Sequence, residues 1–238
     1  MTSTHRPRAL ITGGTAGLGL ALAAALHDDG WEVVIDGRDA VRLDGALAEI
    51  GPRARGLRGD VADADHRAIL ADLAGELDLL VNNASTLGIS PLRAVLELDP
   101  DVLHRLWETN VVAAVDLIGL IRPRLRPGAA VVNVTSDAAA EHYETWGGYA
   151  ASKVALEHLT LTLAAEDPAV RYWAVDPGDL RTAMHQAAFP GEDISDRPLP
   201  ASVAPAFLRL LRDRPASGRY RAEELLAQDA TGLQVRTA

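Results

Sequence analysis

Short apolar runs alternate with helical patterns along most of this chain, and that alternation limits the possible folds more than any other feature. Residues 8–12, 31–36, 54–59, 77–81, 129–134 and 169–175 read as strands. Residues 18–29, 40–50, 63–76, a long stretch opening at Asp99-Pro100, and 149–166 read as helices. The boundaries carry their own signals. Gly30 follows the first helix as a natural C′ residue. Asp63 is placed to cap the third, and Pro100 stands at the first helical position behind an acid. The run at 77–81 is almost continuously apolar, as a strand buried on both faces should be. The long helix has an expected apolar stripe of Leu103, Trp107, Val111, Ala114, Ile118 and Ile121. Six strand–helix alternations predict an α/β fold, a doubly wound parallel sheet with helices on both faces. Such sheets bind ligands at the carboxyl ends of their strands. A Pro- and Gly-punctuated stretch at 179–199, a helix at 201–213 and a short last strand at 217–221 complete the expectation.

Composition narrows the function classes. With no repeat and no low-complexity linker, residues 1–238 read as a single domain. The absence of Cys excludes disulfides, Cys-ligated metals and thiol nucleophiles. A net charge of −10 argues against nucleic acid and acidic membrane surfaces as partners. No apolar run approaches the about 20 residues of a membrane helix, and residues 1–8 lack the pattern of a signal peptide. A cytoplasmic protein is expected.

The first expected strand leads through Thr12-Gly13-Gly14-Thr15-Ala16-Gly17-Leu18-Gly19 into the first expected helix. Glycines let the backbone turn tightly, and the free N–H groups of a helix N-terminus attract an anion. The Gly-x-x-x-Gly-x-Gly spacing in this context predicts a nucleotide phosphate as ligand.

Tyr149 and Lys153 stand four residues apart and share one helix face. A phenol is a poor proton donor or acceptor at neutral pH, with a reference pKa of about 10. A cation held close favours the phenolate and pulls that value toward the working range. Lys153 is the one lysine among 23 basic residues. Lysine survives only where arginine, with its different shape and hydration, would be a poor replacement.

Thr12-Gly-x-x-x-Gly-x-Gly19, Asn82-Asn83-Ala84, Asn110, Ser136 and Tyr149-x-x-x-Lys153, in this order and context, together resemble the short-chain dehydrogenase/reductase family over about residues 8 to 182. The resemblance implies a Rossmann-type sheet and reversible hydride transfer between a nicotinamide and a carbonyl or secondary alcohol. By it, Tyr149 exchanges a proton with the substrate oxygen, Ser136 orients that oxygen, Lys153 tunes Tyr149 and holds the nicotinamide ribose, and Asn110 relays protons through water. The cofactor would meet Gly13, Thr15, Gly17, Leu18 and Gly19 in the first loop, then Asp60 and Val61 after the third strand. It would go on to Asn83 and Ala84 after the fourth and to Pro177, Gly178 and Thr182 after the sixth. Ser85 replaces the family's usual glycine.

At the end of the second strand, the acid position of NAD-binding relatives falls on Gly37, and Arg38 follows it. An arginine there suits the 2′-phosphate of NADP. A shift of one residue would instead put Asp36 at the ribose, so NADP(H) is favoured and NAD(H) is the alternative. Residues 179–199 form the expected substrate lid, with Met184, His185 and Phe189, and before the helix His142, Tyr143 and Trp146, as candidate contacts. No recognisable metal-ligand spacing is present. The rival readings are an NAD-dependent alcohol dehydrogenase and a non-catalytic dinucleotide sensor. Relatives assemble through the long helix, the catalytic helix and the last strand, so a homodimer or homotetramer is expected, although the polar stretch after 221 lacks the usual Gly-rich ending.

Overall fold

The computed structural model describes residues 6–232. Its strands are β1 (Arg8–Ile11), β2 (Glu32–Gly37), β3 (Ala54–Arg58), β4 (Leu77–Asn82), β5 (Leu125–Val134), β6 (Arg171–Asp176) and β7 (Gly218–Arg221). They form one sheet in the order β3-β2-β1-β4-β5-β6-β7. Every neighbouring pair is parallel. The chain winds outward from β1 to β3, then returns to lay β4 on the other side of β1. The carboxyl ends of β1 and β4 therefore flank the crevice where an open sheet of this order takes its ligand.

The helices are α1 (Gly17–Asp28), α2 (Ala40–Ile50), α3 (Ala64–Ala74), α4 (Pro100–Trp107), α5 (Ala113–Ile121), α6 (Gly147–Glu166), α7 (Ala183–Ala188), α8 (Ala204–Asp213) and α9 (Ala222–Gly232). Two apolar layers clamp the sheet. Leu22 and Leu26 of α1 and Phe207 and Leu210 of α8 pack with Ile11, Val81, Val132 and Trp173. Leu70 of α3 and Leu117 and Ile121 of α5 pack with Leu10, Val34, Leu80 and Val131 on the other side. Successive strand residues feed opposite layers, which is why the central strands are apolar without interruption. Each such side chain contributes about 1.5–3 kcal/mol on burial. Among the described residues, no helix is long and apolar enough to cross a membrane.

Helix starts follow their caps: Asp39, Asp63 and Asp99 accept from the backbone N–H of Arg42, Asp65 and Asp101. The long helix differs from its expected form. One turn of π-helix, Glu108–Val112, separates α4 from α5. The extra residue in that turn rotates the preceding segment, so Val102 and Leu106 are buried while Leu103 and Trp107 are 42% and 48% exposed. The expected stripe holds from Val111 onward and is off by one residue before it. The stretch after β7 is a helix, α9, whose Ala222 and Leu225 are buried. Within 179–199 there is one short helix, α7, capped by Thr182, which accepts from His185 N–H at 3.1 Å.

A buried polar ladder ties the sheet to α6. Asn82 Nδ2 donates to Asn133 Oδ1 at 2.8 Å, and Asn133 Nδ2 donates to Thr160 Oγ1 at 2.7 Å. Inside the core each of these bonds matters mainly because losing one partner strands the other. Asn133→Leu, close in size but unable to bond, should cost about 2–3 kcal/mol. A lower urea midpoint at unchanged slope would register that loss; an unchanged midpoint would show the ladder to be dispensable.

Candidate active site

A cleft of about 550 Å³ opens at the carboxyl ends of the strands, beside the β1–β4 switch point. The glycine loop makes one wall. Gly13 and Gly17 adopt φ of 66° and 57°, the left-handed region that a side chain disfavours. A Cβ at Gly19 would collide with the Gly13 carbonyl oxygen. Helix α1 follows with no side-chain cap and no acid in its first turn, so its N-terminal N–H groups and positive dipole end meet no protein anion. Gly13, Thr15, Gly17 and Leu18 line the cleft, and Gly19 lies just behind, against Asn83. This donor set fits a pyrophosphate.

The loop is held from both sides. Thr12 Oγ1 accepts from Asn83 N–H and Ala84 N–H, each at 3.0 Å, and Asn83 Nδ2 donates to Thr12 O at 2.9 Å. Gly13 N–H donates to Asp36 Oδ1 at 2.6 Å, while Asp36 Oδ2 lies 3.0 Å from His66 Nε2. Asp36 is thus a buried strut beneath the loop, with both oxygens engaged. Gly37, Arg38, Asp60 and Val61 line this end of the cleft. Arg38 is 79% exposed, with Nη1 3.7 Å from Asp60 Oδ2. A Cβ at Gly37 would collide with Thr15.

At the other end, α6 carries Tyr149 and Lys153, both buried, with Lys153 Nζ 5.6 Å from the Tyr149 ring centroid. Lys153 Nζ donates to Val134 O at 2.8 Å. Burial pushes the Lys153 ammonium down to about 8. Burial pushes the Tyr149 phenol well above its usual range, opposed by the neighbouring hydroxyls of Ser85 and Ser136. The expected downward pull of Lys153 on Tyr149 is therefore outweighed: the apolar surroundings that weaken the ammonium also penalise the phenolate.

Ser136 lines the cleft, and its Oγ–H donates to Asp137 Oδ1 at 2.9 Å. Asn110 is buried behind the cleft wall, in the π turn. Its Oδ1 accepts from Thr86 N–H at 2.8 Å and Ser85 Oγ at 3.1 Å. Its Nδ2 donates to Thr86 O at 3.0 Å and Ser152 Oγ at 2.9 Å. That amide is saturated by protein, so its side chain fastens the Ser85–Thr86 segment to α6. Ser152 and Asp137 escaped the sequence reading. Ser85 was visible as a departure from glycine, but its bond to Asn110 was not.

Pro177, Gly178 and Thr182 close the remaining wall, with Thr182 3.4 Å from where a Cβ on Gly17 would lie. Trp146, Met184 and His185 also line the cleft. Phe189 packs on Trp146 and His185, with ring centroids 5.8 and 4.9 Å apart. Tyr143 bonds Asp137, and His142 is exposed away from the lining.

Comparison with known proteins agrees with this arrangement. The family model described as short chain dehydrogenase matches residues 7–193. An uncharacterised oxidoreductase of Saccharomyces cerevisiae is 30% identical, over 85% of this chain and 80% of its own. The serine 3-dehydrogenase of Agrobacterium fabrum is 34% identical, over 73% and 72%. A short chain dehydrogenase from Shigella flexneri, solved in complex with NADP, is 27% identical with a TM-score of 0.84, covering 91% of this chain and 97% of that one. A parallel sheet with an uncapped, glycine-bounded helix end beside a buried Tyr–Lys pair, matched by that family over most of its length, makes this chain an oxidoreductase of the short-chain dehydrogenase/reductase family.

Proposed function

We propose that this protein transfers a hydride between NADP(H) and the carbonyl or carbinol carbon of a small, partly apolar molecule, working in the cell as a carbonyl reductase. The observation that carries this is the convergence of Tyr149, Lys153 and Ser136 in the same cleft as the glycine loop and Arg38. A bound nicotinamide supplies or accepts the hydride at its ring. The N-terminus of α1 with Gly13, Thr15, Gly17 and Leu18 holds the pyrophosphate, Gly19 allowing the close packing behind. Asp60 and Val61 border the adenine. Asn83, Ala84, Pro177, Gly178 and Thr182 border the nicotinamide. Lys153 binds its ribose.

Tyr149 gives its proton to the substrate oxygen during reduction and recovers it from solvent. Its raised pKa keeps it a phenol through the neutral range, which suits a donor. Ser136 fixes the oxygen by turning its hydroxyl from Asp137 toward it, and Asn110 acts by holding Ser85 and α6 in register. The segment 179–199 covers the substrate, contributing Met184 and His185. NADP over NAD is supported by the exposed Arg38 guanidinium and by the inward commitment of Asp36 to Gly13 and His66, which leaves no acid for the ribose at that position. Exposed apolar residues on the long helix and on α6, among them Leu103, Trp107, Val154 and Leu161, support self-association through those helices.

Fluorescence titration should give tighter binding of NADPH than of NADH, with the difference lost in Arg38→Ala; an NADH preference indifferent to Arg38 would refute the NADP assignment. Carbonyl reduction should decline as pH rises through about 8, because Lys153 holds its charge only below that value. Ser85→Gly removes a group that lowers the Tyr149 pKa, so the alkaline rise of alcohol oxidation should move to higher pH. An unmoved profile would mean that Ser85 does not reach the phenol. Light scattering should report a dimer or tetramer, and Trp107→Glu should weaken it; a monomeric wild type would refute that assembly.

A further inference from the structure

We propose that the cleft accepts a substrate bearing a cationic amine beside its reacting carbonyl or carbinol carbon, and that Asp137 recognises the charge. The inference rests on the oxidoreductase reading above and names its substrate class.

Five carboxylates line the cleft: Asp36, Asp60, Glu108, Asp137 and Asp179. Four have a cationic or imidazole partner. Asp36 lies 3.0 Å from His66, Asp60 3.7 Å from Arg38, Glu108 3.8 Å from Arg67, and Asp179 3.7 Å from both His185 and Arg197. Asp137 alone has no such partner within 4.0 Å among the described residues. It is also the residue next to Ser136, at the end of the cleft where chemistry takes place.

Its carboxylate is oriented but not neutralised. Oδ1 accepts from Ser136 Oγ at 2.9 Å and Ala138 N–H at 2.8 Å, and Oδ2 accepts from Tyr143 Oη at 2.9 Å. All three donors are uncharged. A neutral substrate without a donor, seated against this group, would strip water from a charge and return nothing, whereas a cation would replace that water with an ion pair. An anion so close to the reacting carbon would be repelled. Two cations share this part of the cleft: Lys153, whose Nζ is turned to Val134 O, and Arg105, which is exposed and bonded to Gly88 O at 3.4 Å.

A second feature points the same way. Trp146 lines the cleft in edge contact with Tyr149, ring centroids 5.7 Å apart, and Phe189 backs it. Indole and phenyl faces attract ammonium groups. His185, buried beside them, faces Asp179 through Nδ1 and has no hydrogen-bond partner at Nε2. The pocket thus offers a carboxylate and an aromatic wall.

The test compares two ketones of the same shape that differ in one quaternary nitrogen for carbon, acetonyltrimethylammonium and methyl neopentyl ketone. NADPH oxidation gives kcat/KM for each in wild type, Asp137→Asn and Asp137→Glu. Intrinsic ketone reactivity cancels when proteins are compared, and a general loss of Ser136 positioning affects both ketones alike. The preference for the ammonium ketone should fall about tenfold or more in Asp137→Asn and be largely retained in Asp137→Glu. Equal preference in wild type and Asp137→Asn would overturn the proposal. Trp emission, titrated with each ketone, reads binding without turnover. If no ketone is reduced, the hydride-transfer reading fails, and the titration still decides whether Asp137 selects a cation.

Discussion

The clasp between β1 and β4 is the interaction on which the site depends. Thr12 takes two backbone donors from the segment after β4, and Asn83 returns its amide to the backbone after β1. These bonds join the two halves of the sheet where the winding reverses. A parallel sheet leaves its strand-end N–H and C=O groups pointing into the crevice, and they must be satisfied somehow. Here they are satisfied crosswise, which fixes the glycine loop relative to the loop that carries Ser85. The Asn82–Asn133–Thr160 ladder then extends the same rigidity to α6. Tyr149 is therefore referenced to the glycine loop through a short chain of hydrogen bonds, not through a flexible connection.

Burial organises the electrostatics of this cleft more than charge pairing does. It weakens the Lys153 ammonium and the Tyr149 phenolate together, leaving an uncharged phenol beside a cation held close to neutral pH. The balance is set by small groups: two serine hydroxyls favour the phenolate, and a backbone carbonyl receives the ammonium. At the far end the logic is opposite. Arg38 stands in water, where its attraction for a phosphate is long-ranged but screened.

Much of this was legible in the sequence, for physical reasons that differ by element. The sheet was readable because strands buried on both faces must be apolar throughout, and α3 because Asp63 stands where its cap is needed. The glycine loop was readable because backbone geometry there tolerates no side chain. The π turn was not, since an inserted residue leaves no mark in composition and shifts the phase of Leu103 and Trp107 without changing what they are. The direction of Asp36 was open because adjacent residues on a strand face opposite ways, and only the fold brings the Gly13 N–H and His66, thirty residues on, to its two oxygens. The pKa of Tyr149 was not legible, because a Tyr–Lys spacing reports proximity but not dielectric. The isolation of Asp137 was invisible, because lacking a partner is a property of the folded neighbourhood.

Lys153 has one more consequence. It is the chain's single lysine, and it lies inside α6 with its amine on a strand carbonyl. A protease that cuts only after lysine has one internal bond to attack, and that bond is out of reach while α6 stays packed. Cleavage there would be a clock for the opening of the catalytic helix, read from the appearance of two fragments and uncluttered by loop nicking.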